Sequence, residues 1–321
     1  MKIEILKEKG SNCFVNLIIS IANYWNVEYK LMYLELIGFS YKINNSSKNI
    51  GENMQLCWEG DLKERNRLLE NYHGIHIEYF DKTLWDNKCS KEWIDNHIVA
   101  IYVDGYECEW LPFYKKLHRQ HICLIVEKKE EGYLLDDEYL EAPKYMEKEK
   151  IQFIQSGFII FEKIVNKNKI EIENIKEELR HRISIWYNND SKDKLLNFSS
   201  DIKGKLDLTK EVADNKDPFS SRLFMYLKNI GDDKKRIADM FVFLQLKTGE
   251  NYDEIVNKFN QLSEEYLKFR SYLIKLLFLG KKIDDLVKIK IDAIIKAEME
   301  IEKWIESYSN YNFFENRGEI K

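Results

Sequence analysis

Apolar residues recur along this chain in two rhythms, and the change from one to the other falls near residue 165. Before it, short apolar runs alternate with polar turns. After it, apolar positions return at helical spacing almost to the end. In the first run Val15, Leu17, Ile18, Ile21, Ala22 and Trp25 cover most of a helical circumference, which predicts a largely buried helix. Gly10 interrupts what precedes it. Ser11 and Asn12 are N-cap types, with side-chain oxygens that accept from first-turn N–H groups.

A second, shorter amphipathic segment runs from Val27 to Ile37 and stops at Gly38. Residues 42–53 are rich in turn formers and read as a loop or hairpin connection. Asp61 is placed to cap a helix reaching Asn71, with Leu62, Leu68 and Leu69 inward. Alternation over Gly74–Phe80 predicts a strand. Glu92-Trp93-Ile94 leads into a buried strand, Ile98–Asp104, and Leu111–Tyr114 is an aromatic loop. His121–Glu127 is a second buried strand; Lys128–Gly132 turns the chain and Tyr133–Asp137 returns antiparallel. Phe153–Phe161, interrupted at Ser156-Gly157, is a last strand or strand pair.

Beyond a charged connector, helices are predicted over 171–188, 218–230, 232–248, 252–279 and 281–308, with a loop over 189–217. Pro218 suits a first helical position, and Gly231, Gly249 and Gly280 fall where helices should stop. The expected architecture is α+β: residues 1–165 around an antiparallel sheet, and residues 166–321 a helical domain.

Composition narrows the functional classes. With 44% hydrophobic and 33% charged residues, the 321-residue chain can bury a core and stay soluble. A net charge of −5 does not favour nucleic acid as a partner, because phosphate neutralisation needs a basic face. The N-terminus is charged and lacks a signal-peptide core, and no apolar run would span a bilayer, so a cytoplasmic protein with no membrane partner is expected. The five cysteines (Cys13, Cys57, Cys89, Cys108, Cys123) are odd in number and include no CxxC pair. That excludes a disulfide framework or a zinc knuckle and leaves free thiols. The histidine pairs His73/His76 and His118/His121 lack a Glu or Cys to complete a ligand set, so no metal is expected.

Cys13 is the thiol with a reactive context. In the first turn it lies at the positive end of the helix dipole, beside unpaired N–H groups, a position that favours the nucleophilic thiolate. The alternative is a small buried apolar residue. His121 opens a buried strand, and the following hairpin can return Asp137 or Asp136 alongside it. Side chains alternate along a strand, so one of the two should face the imidazole; Asp137 is the first choice and Asp136 the fallback. Thiol, base and orienting carboxylate are the parts of an activated nucleophile. The alternative is a histidine that closes a strand above a solvated acidic turn. Cys123, inside an apolar strand, should be inert, and Cys57, Cys89 and Cys108 have no helix-start context.

Three segments together resemble a known family: Asn12-Cys13 opening a long apolar helix, Val103-Asp104 with Leu111–Tyr114, and His121–Val126 with Leu135-Asp136-Asp137. They are similar to the papain-like cysteine fold of bacteriocin-processing peptidases, and more specifically to the N-terminal domain of the butirosin biosynthesis protein H family. The resemblance covers about the first 165 residues and implies an acyltransferase of natural-product biosynthesis rather than a protease. Such an enzyme takes an acyl or peptidyl group from a carrier-protein thioester, on its phosphopantetheine arm, and passes it to an amine or diamine. No bound cofactor is implied. Asp104, Trp110, Tyr114 and Asp136 are substrate-side candidates: Asp104 as ammonium anchor or support, the aromatic loop as packing for an acyl chain.

One departure stands out. Papain-like proteases carry a glutamine shortly before the cysteine to build the oxyanion hole. Here the run is Leu6-Lys7-Glu8-Lys9-Gly10-Ser11-Asn12. The oxyanion would rely on the Cys13 N–H and the Asn12 amide, which suits an activated thioester better than a peptide.

Overall fold

The computed structural model describes residues 3–8, 11–42, 47, 49–55, 62–85, 94, 96–165, 168–188, 191–213 and 217–315. Gly10, Asp61, Cys57, Cys89 and the Glu92-Trp93 lead lie outside the described residues. The chain is α+β and forms two compact units: residues 1–29 with 66–167, and residues 30–65 with 168–321.

The first unit is built on helix α1 (Cys13–Trp25) and a six-stranded antiparallel sheet. The strands are β1 (Ile75–Asp81), β2 (Ile98–Asp104), β3 (Gln120–Lys128), β4 (Gly132–Asp136), β5 (Lys144–Glu147) and β6 (Gln155–Lys163), in the order β1-β6-β2-β3-β4-β5. The central strands read as continuous apolar runs because both their faces are covered. Val99, Ile101, Cys123, Ile125, Phe158 and Ile160 pack on one side with Trp85 and Tyr133. Phe14 of α1 stacks on Tyr79, on the opposite side. A short helix, α2 (Lys148–Ile154), precedes β6. The Ser156-Gly157 interruption is a bulge: pairing of β2 with β6 shifts register between Tyr102 and Val103.

Helix α1 starts where its cap chemistry says it should. Asn12 is extended, and its side chain accepts from the Val15 N–H at 2.9 Å. The helix ends on Asn26 in the left-handed region, φ 51°. Two polar side chains on its buried face hold the preceding segment: Leu6 N–H donates to Ser20 Oγ (2.8 Å) and Glu8 N–H to Asn16 Oδ1 (3.0 Å).

The second unit carries α3 (Ile172–Asn188), α4 (Ser191–Gly204), α5 (Leu208–Val212), α6 (Arg222–Thr248), α7 (Asp253–Phe278) and α8 (Asp285–Glu315). Two expectations are corrected. Residues 189–217 are not one loop, since α4 and α5 occupy most of them; Asp207 caps α5. Gly231 does not end a helix, since α6 runs through it. A Cβ there would lie 3.0 Å from Leu267, so the glycine permits close approach of α7. Gly249 and Gly280 do sit at helix ends with positive φ, 75° and 60°.

The change of rhythm near 165 marks only one of the places where the chain passes between units. Residues 30–65, including the 3₁₀ helix Lys30–Leu36, cluster with the C-terminal helices. Among the described residues of this stretch there is no long helix, and their polar groups take partners from α3 to α6. Arg182 donates to the carbonyls of Glu35 and Ile37, and Lys234 to that of Gly38. Tyr41 donates to Asp201 (2.7 Å), and Glu211 accepts from the N–H groups of Ile50 and Gly51. Among the described residues no helix is long and apolar enough to cross a membrane.

Candidate active site

Three elements of the first unit converge at one end of its sheet. Cys13 is the first residue of α1 and is partly exposed. His121 is the second residue of β3, opposite Val103 of β2, and only 3% exposed. Asp137 directly follows β4 and is 5% exposed. Asp136 pairs with Leu124, so alternation sends Asp137 to the other face, the one that holds His121 and Cys123.

His121 Nε2 lies 3.1 Å from Asp137 Oδ2. The Cys13 side chain lies close enough to the same imidazole to favour its charged form. Asp137 is held from several directions. Its Oδ2 also accepts from Trp110 Nε1 at 2.6 Å and from the Cys123 thiol at 3.5 Å, and its Oδ1 accepts from the Tyr139 N–H at 2.7 Å.

The charges follow from these contacts. Burial pushes the Asp137 carboxyl towards its neutral form. The bonds from His121, Trp110 and Tyr139 outweigh it and hold the pKa below the usual carboxylate value. Burial likewise opposes charge on His121, but its bond to Asp137 and the nearby Cys13 prevail and push the ring up to about 9. At neutral pH the site therefore holds an imidazolium between a thiol sulfur and a carboxylate. That is the arrangement from which a thiolate attacks a carbonyl.

Other predicted residues lie elsewhere. Asp104 binds the exposed His118 (2.6 Å) and caps Tyr106, whose ring stacks on His118 at 4.2 Å. Tyr114 is exposed, with Lys115 over its ring. Asp136 is half-buried, its carboxyl raised by burial and by the Asp137 charge. Trp110 is part of the Asp137 environment rather than an open aromatic surface. The Asn12 side-chain oxygen is committed to the helix cap. Burial pushes the Cys108 thiol up to about 12, and Cys123 is raised well above the ordinary thiol value for the same reason.

Residues that motif spacing passed over complete the surroundings. Asn16, buried one turn into α1, donates to Glu138, the residue after Asp137. An amide inside an apolar run, on the same face as the cysteine, was the available signal. Phe113 and Tyr139 set their rings edge-on to His121, at 6.2 and 5.7 Å. Each carries a cation: Arg119 lies over Phe113 and Lys7 over Tyr139. His121, Cys123 and Asp137 also bring one ligand atom each within 4.8 Å of one another, as a metal site would. Hydrogen bonding already accounts for that spacing.

No protein-family model matches this chain, and no curated protein matches it.

Proposed function

We propose that the chain is a cysteine-dependent acyltransferase that makes amides, with a papain-like first unit. The observation that carries this reading is the run of contacts from Cys13, at a helix N-terminus, through His121 to the buried, ionised Asp137.

The Cys13 thiolate attacks the carbonyl of an acyl thioester. The bond from that carbonyl to the donor sulfur breaks, and the departing thiol takes its proton from the His121 imidazolium. An acyl-Cys13 enzyme with a neutral imidazole remains. An amine then attacks the acyl carbon, His121 accepts the amine proton, and the bond to Cys13 breaks to release the amide. Asp137 fixes the ring and stabilises its charged form in both halves. The donor class, a carrier-bound phosphopantetheine thioester, and the amine or diamine acceptor come from the family resemblance. The residues themselves supply thiol acyl chemistry.

Incubation with an acyl thioester followed by weighing of the intact protein tests this. The expected result is one acyl mass on Cys13, discharged by amine faster than by water, and absent from Cys13→Ala. A protein that turns over without an adduct, or a Cys13→Ala variant with undiminished product, would overturn it. Cleavage of peptides with no amide synthesis would make it a peptidase instead.

A further inference from the structure

We propose that the Lys7 ammonium supplies the oxyanion contact that papain-like enzymes take from a glutamine. The proposal rests on the acyl-transfer reading of Cys13.

A tetrahedral intermediate on Cys13 places a negative oxygen beside the start of α1. The Cys13 N–H, in the first turn, has no intrahelical acceptor and can donate to it. Asn12, the other donor expected from the sequence, has its side-chain oxygen bound to the Val15 N–H and keeps only its neutral Nδ2 to donate. Neutral donors alone are thin support for a developing oxyanion.

Lys7 lies in the stretch where the papain pattern has its glutamine. Its neighbours are both pinned to α1, Leu6 through Ser20 and Glu8 through Asn16, which fixes its backbone relative to Cys13. Its Nζ sits 4.8 Å from the centre of the Tyr139 ring, and that ring is 5.7 Å from the His121 imidazole. Lys7 makes no ion pair with any described residue, so its charge is not spent on a carboxylate. A compact ammonium on a four-carbon stem can leave the ring face for an oxyanion and return when the acyl group departs. A positive donor also suits an enzyme whose nucleophile is a neutral amine, since it holds the intermediate's charge without using the imidazole proton.

The test separates oxyanion support from thiolate activation. An aldehyde captures the thiol as a hemithioacetal and develops the oxyanion; iodoacetamide alkylates the same sulfur without one. In Lys7→Met, aldehyde affinity and the rate of acyl-Cys13 formation are expected to fall about tenfold to a hundredfold, while alkylation stays within about twofold of wild type. Lys7→Arg recovers part of the loss. Aldehyde affinity unchanged in Lys7→Met overturns the proposal. So does a parallel fall in alkylation, which would make Lys7 an activator of the thiolate. The same loss in Arg119→Met, which removes the cation on the other flanking ring, would reduce the effect to a general field and also overturn it. Aldehyde capture and alkylation need no acyl donor, so they remain readable if the acyl-transfer reading itself fails.

Discussion

Asn16 donates its side-chain N–H to Glu138 and so joins the helix that carries the thiol to the turn that carries the carboxylate. The same amide accepts the Glu8 N–H at 3.0 Å, and one residue thus ties three segments around Cys13. Asn16→Ala removes both bonds from a buried position. The expected cost is roughly 1–3 kcal/mol, read as a lower urea midpoint. Alkylation of Cys13 should slow as well, because the helix start is no longer held against His121. A variant with wild-type midpoint and wild-type alkylation would show that the tie is dispensable.

The donors on Asp137 set the charge of His121. Because the ring's folded pKa is raised to about 9, its contribution to stability is complete below about 6.5 and is lost as pH rises through 9. Asp137→Asn removes the anion and should bring the ring's titration down by about one to two units. Trp110→Phe keeps the packing but deletes the indole N–H, and should move it the same way by less. Nitrogen-15 chemical shifts of the imidazole across pH 5–10 measure both. An unmoved titration in Asp137→Asn would contradict the charge arrangement described above.

Gly105 exists for Phe113. A Cβ at this position would fall 1.9 Å from the Phe113 ring, the ring that stands edge-on to His121. Gly105→Ala should therefore destabilise by roughly 1–3 kcal/mol and shift the aromatic wall of the site. Adding Phe113→Leu to Gly105→Ala should restore part of the stability. A double mutant that shows the two losses simply added would mean that the clash is relieved elsewhere.

In the helical unit Asp233 is paired with Arg236 but fully buried, and burial pushes its carboxyl up from 3.8 to about 6. The folded chain then binds this proton more readily than the unfolded chain, so stability falls as pH rises from about 4 to about 6. Over that window the loss should be on the order of 2–3 kcal/mol. Asp233→Asn removes the titration. The difference between wild-type and variant urea midpoints should therefore change between pH 4 and pH 6; a constant difference would count against it.

The candidate site of the first unit was largely legible because it depends on local rules. An N-cap, an apolar circumference and alternation along a hairpin are written in consecutive residues, and they put Cys13, His121 and Asp137 at element ends. What lay beyond them depended on contacts distant in sequence. Trp110 looked like an open aromatic until its N–H was found on Asp137. Gly231 looked like a helix stop because its partner, Leu267, belongs to another helix. The 189–217 stretch, polar and rich in Asp and Lys, hid α4 and α5, whose stability comes from Leu195, Phe198, Ile202 and Leu208 buried against neighbours.

The path of the chain between units bears on how this protein is made and how it can be cut. The thiol helix is followed by residues 30–65, whose partners are encoded after residue 168. During synthesis Leu31, Met32, Leu34 and Ile37, all buried in the finished fold, must wait for more than half of the chain. A gene ended at residue 165 would leave them without cover for good, and its product should aggregate or be degraded. The two units are thus not exchangeable beads on a string: grafting the first unit onto another helical partner requires three junctions, two of them between Cys13 and His121.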